Sequence, residues 1–389
     1  MLPVVNTKGW LFIVILSGLM AFTSLSIDIY LPAMPAIGRD LQGDAELTIV
    51  GFLIGFALAQ LFWGAISDKI GRKIPLLIGM VLFIIGSIGC ALSTSMYELL
   101  GWRVFQAFGA CIGPMLSRAM IRDLYSREAA AKMLSTLAIV MAIAPIVGPM
   151  IGGHLLIWYS WHSIFWFLVG IGIIMLGLIL FLPETHPVER RSRRSLAATY
   201  VNYWILLNHK GFMKYTLCVS FFYMAIYAFL TASPYVYIDV FGVPAEYFGY
   251  LFAFNIIGVM VLSAINRRIV NVIRLERLLR YATLFSAFCV IIVMALMVAG
   301  FVSLSLIIIG CFLFFSMNGI IAAVTNALAL DKAGRIAGSG AALLGAMQYG
   351  SGIVPSLLLT LFPNDSAMPM MVVIAVFVIA SAIVAYPEE

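Results

Sequence analysis

PETHPVERRSRRSLAATY, residues Pro183 to Tyr200, is the main break in composition along a chain of 389 residues. It is polar, basic and bounded by Pro183 and Pro187. The sequence on either side is dominated by long apolar runs, and the chain as a whole is 63% hydrophobic and only 10% charged. Soluble globular chains are nearer half apolar and a quarter charged. A bilayer-crossing helix needs about 20 mostly apolar residues, and roughly twelve runs meet that rule. Their cores fall at 11–33, 46–66, 74–95, 98–121, 131–156 and 162–182 before the break. After it they fall at 213–237, 246–265, 279–299, 303–329, 337–361 and 368–386. The reading is an all-α polytopic membrane protein of twelve transmembrane helices in two six-helix halves. Residues 1–183 form an N-terminal bundle, 184–211 a cytoplasmic linker and 212–389 a C-terminal bundle. Two parallel halves of this kind are related by an axis along the membrane normal.

The net charge of +6 is topological. With the N-terminus placed in the cytoplasm and loops assigned alternately, all but Arg39 and Arg103 of the 23 lysines and arginines fall on the cytoplasmic side. That asymmetry sets orientation by the positive-inside rule, puts both termini in the cytoplasm and argues against a nucleic-acid partner. Lys8 with WLFIVILSGLMAF has the charge and apolar core of a secretory leader, but no small-x-small site closes it, so it is read as a retained first span. Cys90, Cys111, Cys218, Cys289 and Cys311 lie within predicted spans and show neither metal-ligand nor disulfide spacing. The four histidines, His154, His162, His186 and His209, form no HExxH pattern, and no Walker loop is present. The chain is read as a transporter and not an enzyme. An intramembrane enzyme or receptor stays as the rival from another class.

After the second run comes GAISDKIGRK, Gly64 to Lys73. Glycines allow a tight reversal, an aspartate sits at a helix end and cations follow. A basic turn on the inner face would look similar, but the ordered G-x-x-x-D-x-x-G-R-K pattern resembles the loop signature of the major facilitator superfamily. WRVFQAFGA (Trp102 to Ala110) resembles that family's R-x-x-Q-G motif, with Ala107 in place of the usual glycine. APIVGPMIGG (Ala144 to Gly153) resembles the G-P-x-x-G-G antiporter motif of proton-linked drug exporters. SIDIYLPAMP and YSWHSIFW (Tyr159 to Trp166) look like the bicyclomycin-resistance branch. The second half carries no clear copy of the Gly-Asp-Gly loop.

The resemblance implies a proton-driven antiporter of the bacterial inner membrane, with a small-molecule substrate and H+ as partners beside the lipid bilayer. It implies a monomer with no cofactor other than the proton gradient. It assigns Gly64, Asp68, Gly71, Arg72, Lys73 and Asp123 to a cytoplasmic gate, in which the loop charges pair with the acid ending span four. It assigns Pro145, Gly148, Pro149, Gly152 and Gly153 to a kinked span five that seals the outer half. Prolines bend a helix and glycines admit a neighbour's backbone, which is also how ordinary small-residue packing looks.

Asp28 is the acid flanked best by apolar sequence on both sides, and Arg103 is its basic counterpart. With span one ending near Pro32, both lie roughly 6–8 Å below the outer boundary at 1.5 Å per residue; if the helix runs past Pro32, Asp28 is deeper. Intramembrane charges mark proton or substrate paths, and a structural Asp–Arg pair is the competing reading. Burial disfavours the ionised carboxylate and a nearby cation favours it, so a site whose exposure alternates can take and release a proton. Asp28 and Arg103 are therefore the candidates for proton coupling. Candidates for the substrate cavity are Tyr30, Gln60 and Gln106 in the first half. In the second they are Tyr223 and Tyr227, four apart on span seven, Asn318 and Asn326, eight apart on span ten, and the single amides Asn255 and Gln348. Each serves as well as an interhelical hydrogen bond. The expected cargo is a small, partly apolar drug such as a bicyclomycin- or phenicol-like compound. The alternative is a sugar, an amino acid or another metabolite.

Overall fold

The computed structural model describes residues 9–191, 196–363 and 365–386. Every regular element among them is helical, and twelve helical segments are long and apolar enough to cross a bilayer. The chain divides into two compact units, Met1–Thr199 and Tyr200–Glu389.

In the first unit, span one covers Trp10–Leu41 but is not one helix. An α-helix ends at Asp28, a 3-10 turn covers Leu31–Ala33, and a second helix runs Met34–Leu41. The cause is local. Pro32 has no N–H for the carbonyl of Asp28, and Pro35 has none for that of Leu31. Thirteen residues of the span therefore follow Asp28 where the expectation allowed four. Asp28 therefore sits in the interior of the span as counted along the chain, with a further eight-residue helix beyond it.

Span two, Glu46–Ile70, stops at Gly71, whose φ of +100° belongs to the region that favours glycine. A Cβ on Gly71 would also press into the Glu184 carboxylate. Span three, Lys73–Leu92, starts two residues later. Span four bends at Cys111 between Met96–Ala110 and Ile112–Leu124, where Pro114 has no N–H to give the carbonyl of Ala110. Its packing is backbone to backbone: a Cβ on Gly55 of span two would meet the Val104 carbonyl, and one on Gly86 of span three would meet the Gln106 backbone. Span five belongs to the helix Arg127–Trp158, with Pro145 and Pro149 inside it, and span six is His162–Leu180. Trp161, at the entry to span six, donates from Nε1 to Asp40 at 2.8 Å and so ties that entry to the end of span one.

The segment after span six carries a 3-10 turn at Val188–Arg190 and a helix at Leu196–Leu207, so its second part is helical. In the second unit, span seven is Lys210–Pro234 and continues as a π-helical turn, Tyr235–Val240. Span eight is Ala245–Ile269 and span nine Leu275–Val298. Span ten breaks at Met317 between Leu304–Ser316 and Asn318–Ala333, span eleven is Ala337–Leu359, and span twelve is Met368–Ala385. An aromatic cluster of Phe229, Phe252 and Phe315 fills its interior, with ring centroids 5.4–6.2 Å apart. Ser381 of span twelve donates to the Cys218 carbonyl of span seven at 2.8 Å, which fixes those two helices against each other.

Candidate functional site

Asp28 is the last residue of the first helix of span one, and only 6% of its surface is exposed. Among the described residues its carboxyl group has no hydrogen bond and no salt bridge. The small-residue face of span five packs against this end of the helix. A Cβ on Gly148 would sit 3.4 Å from the Asp28 Cβ and from the Ile29 amide nitrogen. One turn on, a Cβ on Gly152 would collide with the Ile29 carbonyl oxygen and lie 3.3 Å from the Pro32 ring. The GPxxGG stretch therefore packs on the break in span one between Asp28 and Pro32. Gly153 and Pro149 are buried beside it, and Pro145 is half-buried.

Arg103 is fully buried. Its Nη1 donates to the Ser26 carbonyl at 3.1 Å and to Gln106 Oε1 at 2.7 Å. Gln106 Nε2 in turn donates to Ser87 Oγ of span three at 2.8 Å. The guanidinium carbon lies 4.2 Å from the centroid of the Tyr30 ring and 4.5 Å from that of Phe52, a cation–π enclosure that partly replaces water around the charge. Tyr30 completes the shell by sharing a 3.1 Å hydrogen bond with Thr48. Among the described residues, Arg103 Nε and Nη2 have no hydrogen-bond partner. Arg103 thus reaches the backbone two residues before Asp28 without forming a salt bridge to it. The structure gathers Arg103, Gln106 and Tyr30 into one buried cluster, and Asp28 is not among its partners. Tyr30 and Gln106, expected in the substrate cavity, are fully buried here and engaged with their neighbours.

At the other end of the unit the loop residues converge. Arg72 Nε donates to Asp123 Oδ2 at 2.9 Å, and its Nη1 to Asp68 Oδ1 at 2.7 Å and to Ser67 Oγ at 3.0 Å. Partial burial costs the guanidinium, but bonds and charge from Asp123 and Asp68 more than offset it and hold its pKa above the ordinary arginine value. The same Asp123 oxygen accepts from Thr185 at 3.3 Å, with His186 Nδ1 at 3.9 Å. Glu184, which the sequence reading missed, accepts from the backbone N–H of Arg72 at 2.9 Å and of Lys73 at 3.1 Å. It caps the start of span three from the end of span six, where a carboxylate suits the helix dipole. Its only sequence signal was an acid directly after Pro183. Lys73 Nζ donates to the Leu180 carbonyl at 2.7 Å. Gly64, half-buried, lies one turn before Asp68, and a Cβ there would touch only Met115, at 4.0 Å.

In the second unit Tyr223 lies 6.4 Å from Tyr227 and 6.3 Å from Tyr349, ring centre to ring centre. Tyr349, on span eleven, joins this pair across helices, and nothing in its sequence setting sets it apart from the other tyrosines. Asn255 is fully buried and donates to the Leu251 carbonyl at 3.1 Å. The side-chain oxygens of Asn255, Asn318 and Asn326, and of Gln60 in span two of the first unit, are buried without a hydrogen-bond partner among the described residues. Such groups cost free energy unless something satisfies them. Gln348 is 7% exposed on span eleven. This unit offers amides and phenols at membrane depth, whereas the ionisable pair of interest lies in the first unit.

Twelve apolar helical spans divided between two compact units define a polytopic membrane protein. The model of the Major Facilitator Superfamily matches residues 15–356, and the chain belongs to that family, whose members are transporters and not enzymes. It is 31% identical to a bicyclomycin resistance protein homolog of Haemophilus influenzae over 97% of this chain and 96% of that one. It is 35% identical to an uncharacterized MFS-type transporter, YdgK, of Bacillus subtilis over 93% of this chain and 92% of that one. Multidrug resistance protein D of Escherichia coli matches at 27% over 87% and 86%. Among solved structures, a D-xylose–proton symporter superposes with a TM-score of 0.71 over 97% of this chain and 96% of its own, at 15% identity. That likeness concerns the fold alone. The chain is a multi-pass membrane transporter with bacterial homologues, related to drug-resistance efflux proteins.

Proposed function

We propose that the protein is a proton-driven antiporter that exports small, partly apolar compounds of the bicyclomycin or phenicol kind from the bacterial cytoplasm by alternating access. The observation that carries this reading is Asp28: a carboxyl group deep in a membrane span, without an ionic partner, at a helix break. An ionisable group so placed is expensive and is kept where it serves transport. Asp28 accepts a proton when it faces the outside and yields it inward, in competition with cargo. Arg103, fixed by Ser26, Gln106 and its aromatic shell, holds a positive charge against the backbone two residues before Asp28. Span five, packed on the break through Gly148 and Gly152, blocks the outer path around it. The Arg72–Asp68–Asp123 cluster latches the cytoplasmic end, and both chain ends face the cytoplasm. The protein acts as a monomer, and the tyrosine cluster and amides of the second unit contribute to the cargo site.

The names of the drug-resistance relatives support a drug as cargo. The unsatisfied amides of the second unit support a second reading, a polar metabolite. A susceptibility panel in a pump-deficient host separates them: wild type should raise resistance to bicyclomycin or chloramphenicol and Asp28→Asn should not. Unchanged susceptibility to every drug, together with proton-linked movement of a sugar or amino acid, would favour the metabolite.

A further inference from the structure

The helix Leu196–Leu207 stands apart from the twelve spans. It is about 18 Å long at 1.5 Å per residue, too short to cross a bilayer. One side of it belongs to the second unit: Tyr203 and Leu206 are buried, and Asn202 Nδ2 lies 3.4 Å from Ser339 Oγ. The opposite side carries Tyr200, Val201, Trp204, Ile205 and Leu207, which are 50%, 56%, 69%, 51% and 41% exposed. By helical geometry these five positions form one face, and it is entirely apolar or aromatic. A contiguous patch of that kind does not stay in water, and Trp and Tyr prefer the boundary between headgroups and acyl chains. The flank after the helix is cationic. Exposed Lys210 follows the helix directly, and Lys214, one turn on, donates from Nζ to the Tyr386 carbonyl; Arg191, before the helix, is turned back to the His186 carbonyl and does not contribute. Charge complementarity points to acidic lipid headgroups, which attract basic residues next to an apolar helix.

We propose that this helix is an interfacial anchor, lying in the plane of the bilayer with Tyr200, Val201, Trp204 and Ile205 inserted beneath acidic phospholipid headgroups. Through the anchor, the connection between the two units is held at a fixed depth. The leaflet is the cytoplasmic one by the orientation proposed above; the docking itself does not depend on that orientation.

The test uses the full-length chain in nanodiscs, which expose both membrane faces, so a wrong orientation would not alter its outcome. A thiol-reactive fluorophore is placed at Trp204→Cys or Ile205→Cys, the second keeping the test open if the first fails to assemble. The native cysteines are buried, so the introduced thiol dominates labelling. Val272→Cys, in a loop and 85% exposed, reports water. In discs of phosphatidylcholine and phosphatidylglycerol, both anchor sites should be quenched by lipid brominated in its chains and protected at least fivefold from iodide relative to position 272. Replacing phosphatidylglycerol with phosphatidylcholine should reduce the brominated-lipid quenching. Iodide quenching equal to position 272 would overturn the proposal, as would protection from both quenchers, which would mean that a protein or a second copy covers the face. Equal quenching with and without phosphatidylglycerol would overturn the role given to acidic headgroups.

Discussion

The same substitution made at two glycines one turn apart on span five should have opposite consequences. At Gly148 a new Cβ finds Asp28 Cβ and the Ile29 nitrogen at 3.4 Å, an ordinary van der Waals contact. Gly148→Ala should therefore leave the packing intact and gain up to about 1 kcal/mol of helix propensity. At Gly152 the Cβ would enter the carbonyl oxygen of Ile29, a backbone atom that no rotamer change can move. Span five must then shift away from span one, a form of overpacking that costs roughly 1–3 kcal/mol. If the shift falls on the conformation in which the outer half is sealed, that state becomes about 5–150 times less populated, at a factor of ten per 1.4 kcal/mol. The assay is passive and substrate-induced collapse of a preformed pH gradient in everted vesicles. Gly148→Ala should match wild type in both. Gly152→Ala should leak protons without substrate and lose most of the substrate-induced component. Equal damage from both variants, or none from Gly152→Ala, would refute the argument that close backbone approach at the break makes the seal.

Three further outcomes follow from contacts in the first and second units. Arg72→Ala removes a charge-assisted bond to mostly buried Asp123, worth about 1.5–3 kcal/mol, and a bond to Asp68 that counts for little because that side chain is 56% exposed. Reactivity of Thr185→Cys, a position 3% exposed, should rise about tenfold or more in the Arg72→Ala background and less with Arg72→Lys, as measured by labelling rate. Ser87→Ala takes away the acceptor of a buried amide and should cost about 1–3 kcal/mol. Because Ser87 and Gln106 form one chain, a double-mutant cycle with Gln106→Ala scored by thermal inactivation should be clearly non-additive. Tyr223→Ala removes the ring that meets both Tyr227 and Tyr349. It should raise the KM for exported drug several-fold with little change in maximal rate, since each aromatic pair is worth about 0.5–1.5 kcal/mol.

Much of the architecture was legible because a bilayer imposes a length on every helix, and twelve apolar runs on either side of PETHPVERRSRRSLAATY satisfy it. The end of span one was not legible. Pro32 and Pro35, with Arg39 and Asp40 beyond them, look like an exit from the membrane. The structure instead restarts a helix at Met34, with Met34, Pro35 and Ile37 buried and Asp40 held by Trp161. Tertiary contacts there outweigh local breakers, and the depth of Asp28 changes with them. The Arg103–Gln106 bond joins positions i and i+3 of one helix, but the sequence set Arg103 beside Asp28 and Gln106 in the cargo cavity. The other partner of Arg103, the Ser26 carbonyl, is a backbone atom exposed by packing and leaves no mark in the sequence. The Asp68, Arg72 and Asp123 cluster was readable only through the resemblance of the loop to the family signature. Glu184 and Tyr349 were not, because each acts across elements through contacts that only the fold creates.

The central claim is that Asp28 carries the coupled proton, and proton release on substrate binding tests it most directly. Purified wild-type protein in weakly buffered detergent solution, mixed with whichever of bicyclomycin or chloramphenicol the panel identifies, should release close to one proton per chain at a pH where the site is loaded. Asp28→Asn should bind the compound and release none. Undiminished proton release from Asp28→Asn would contradict the account.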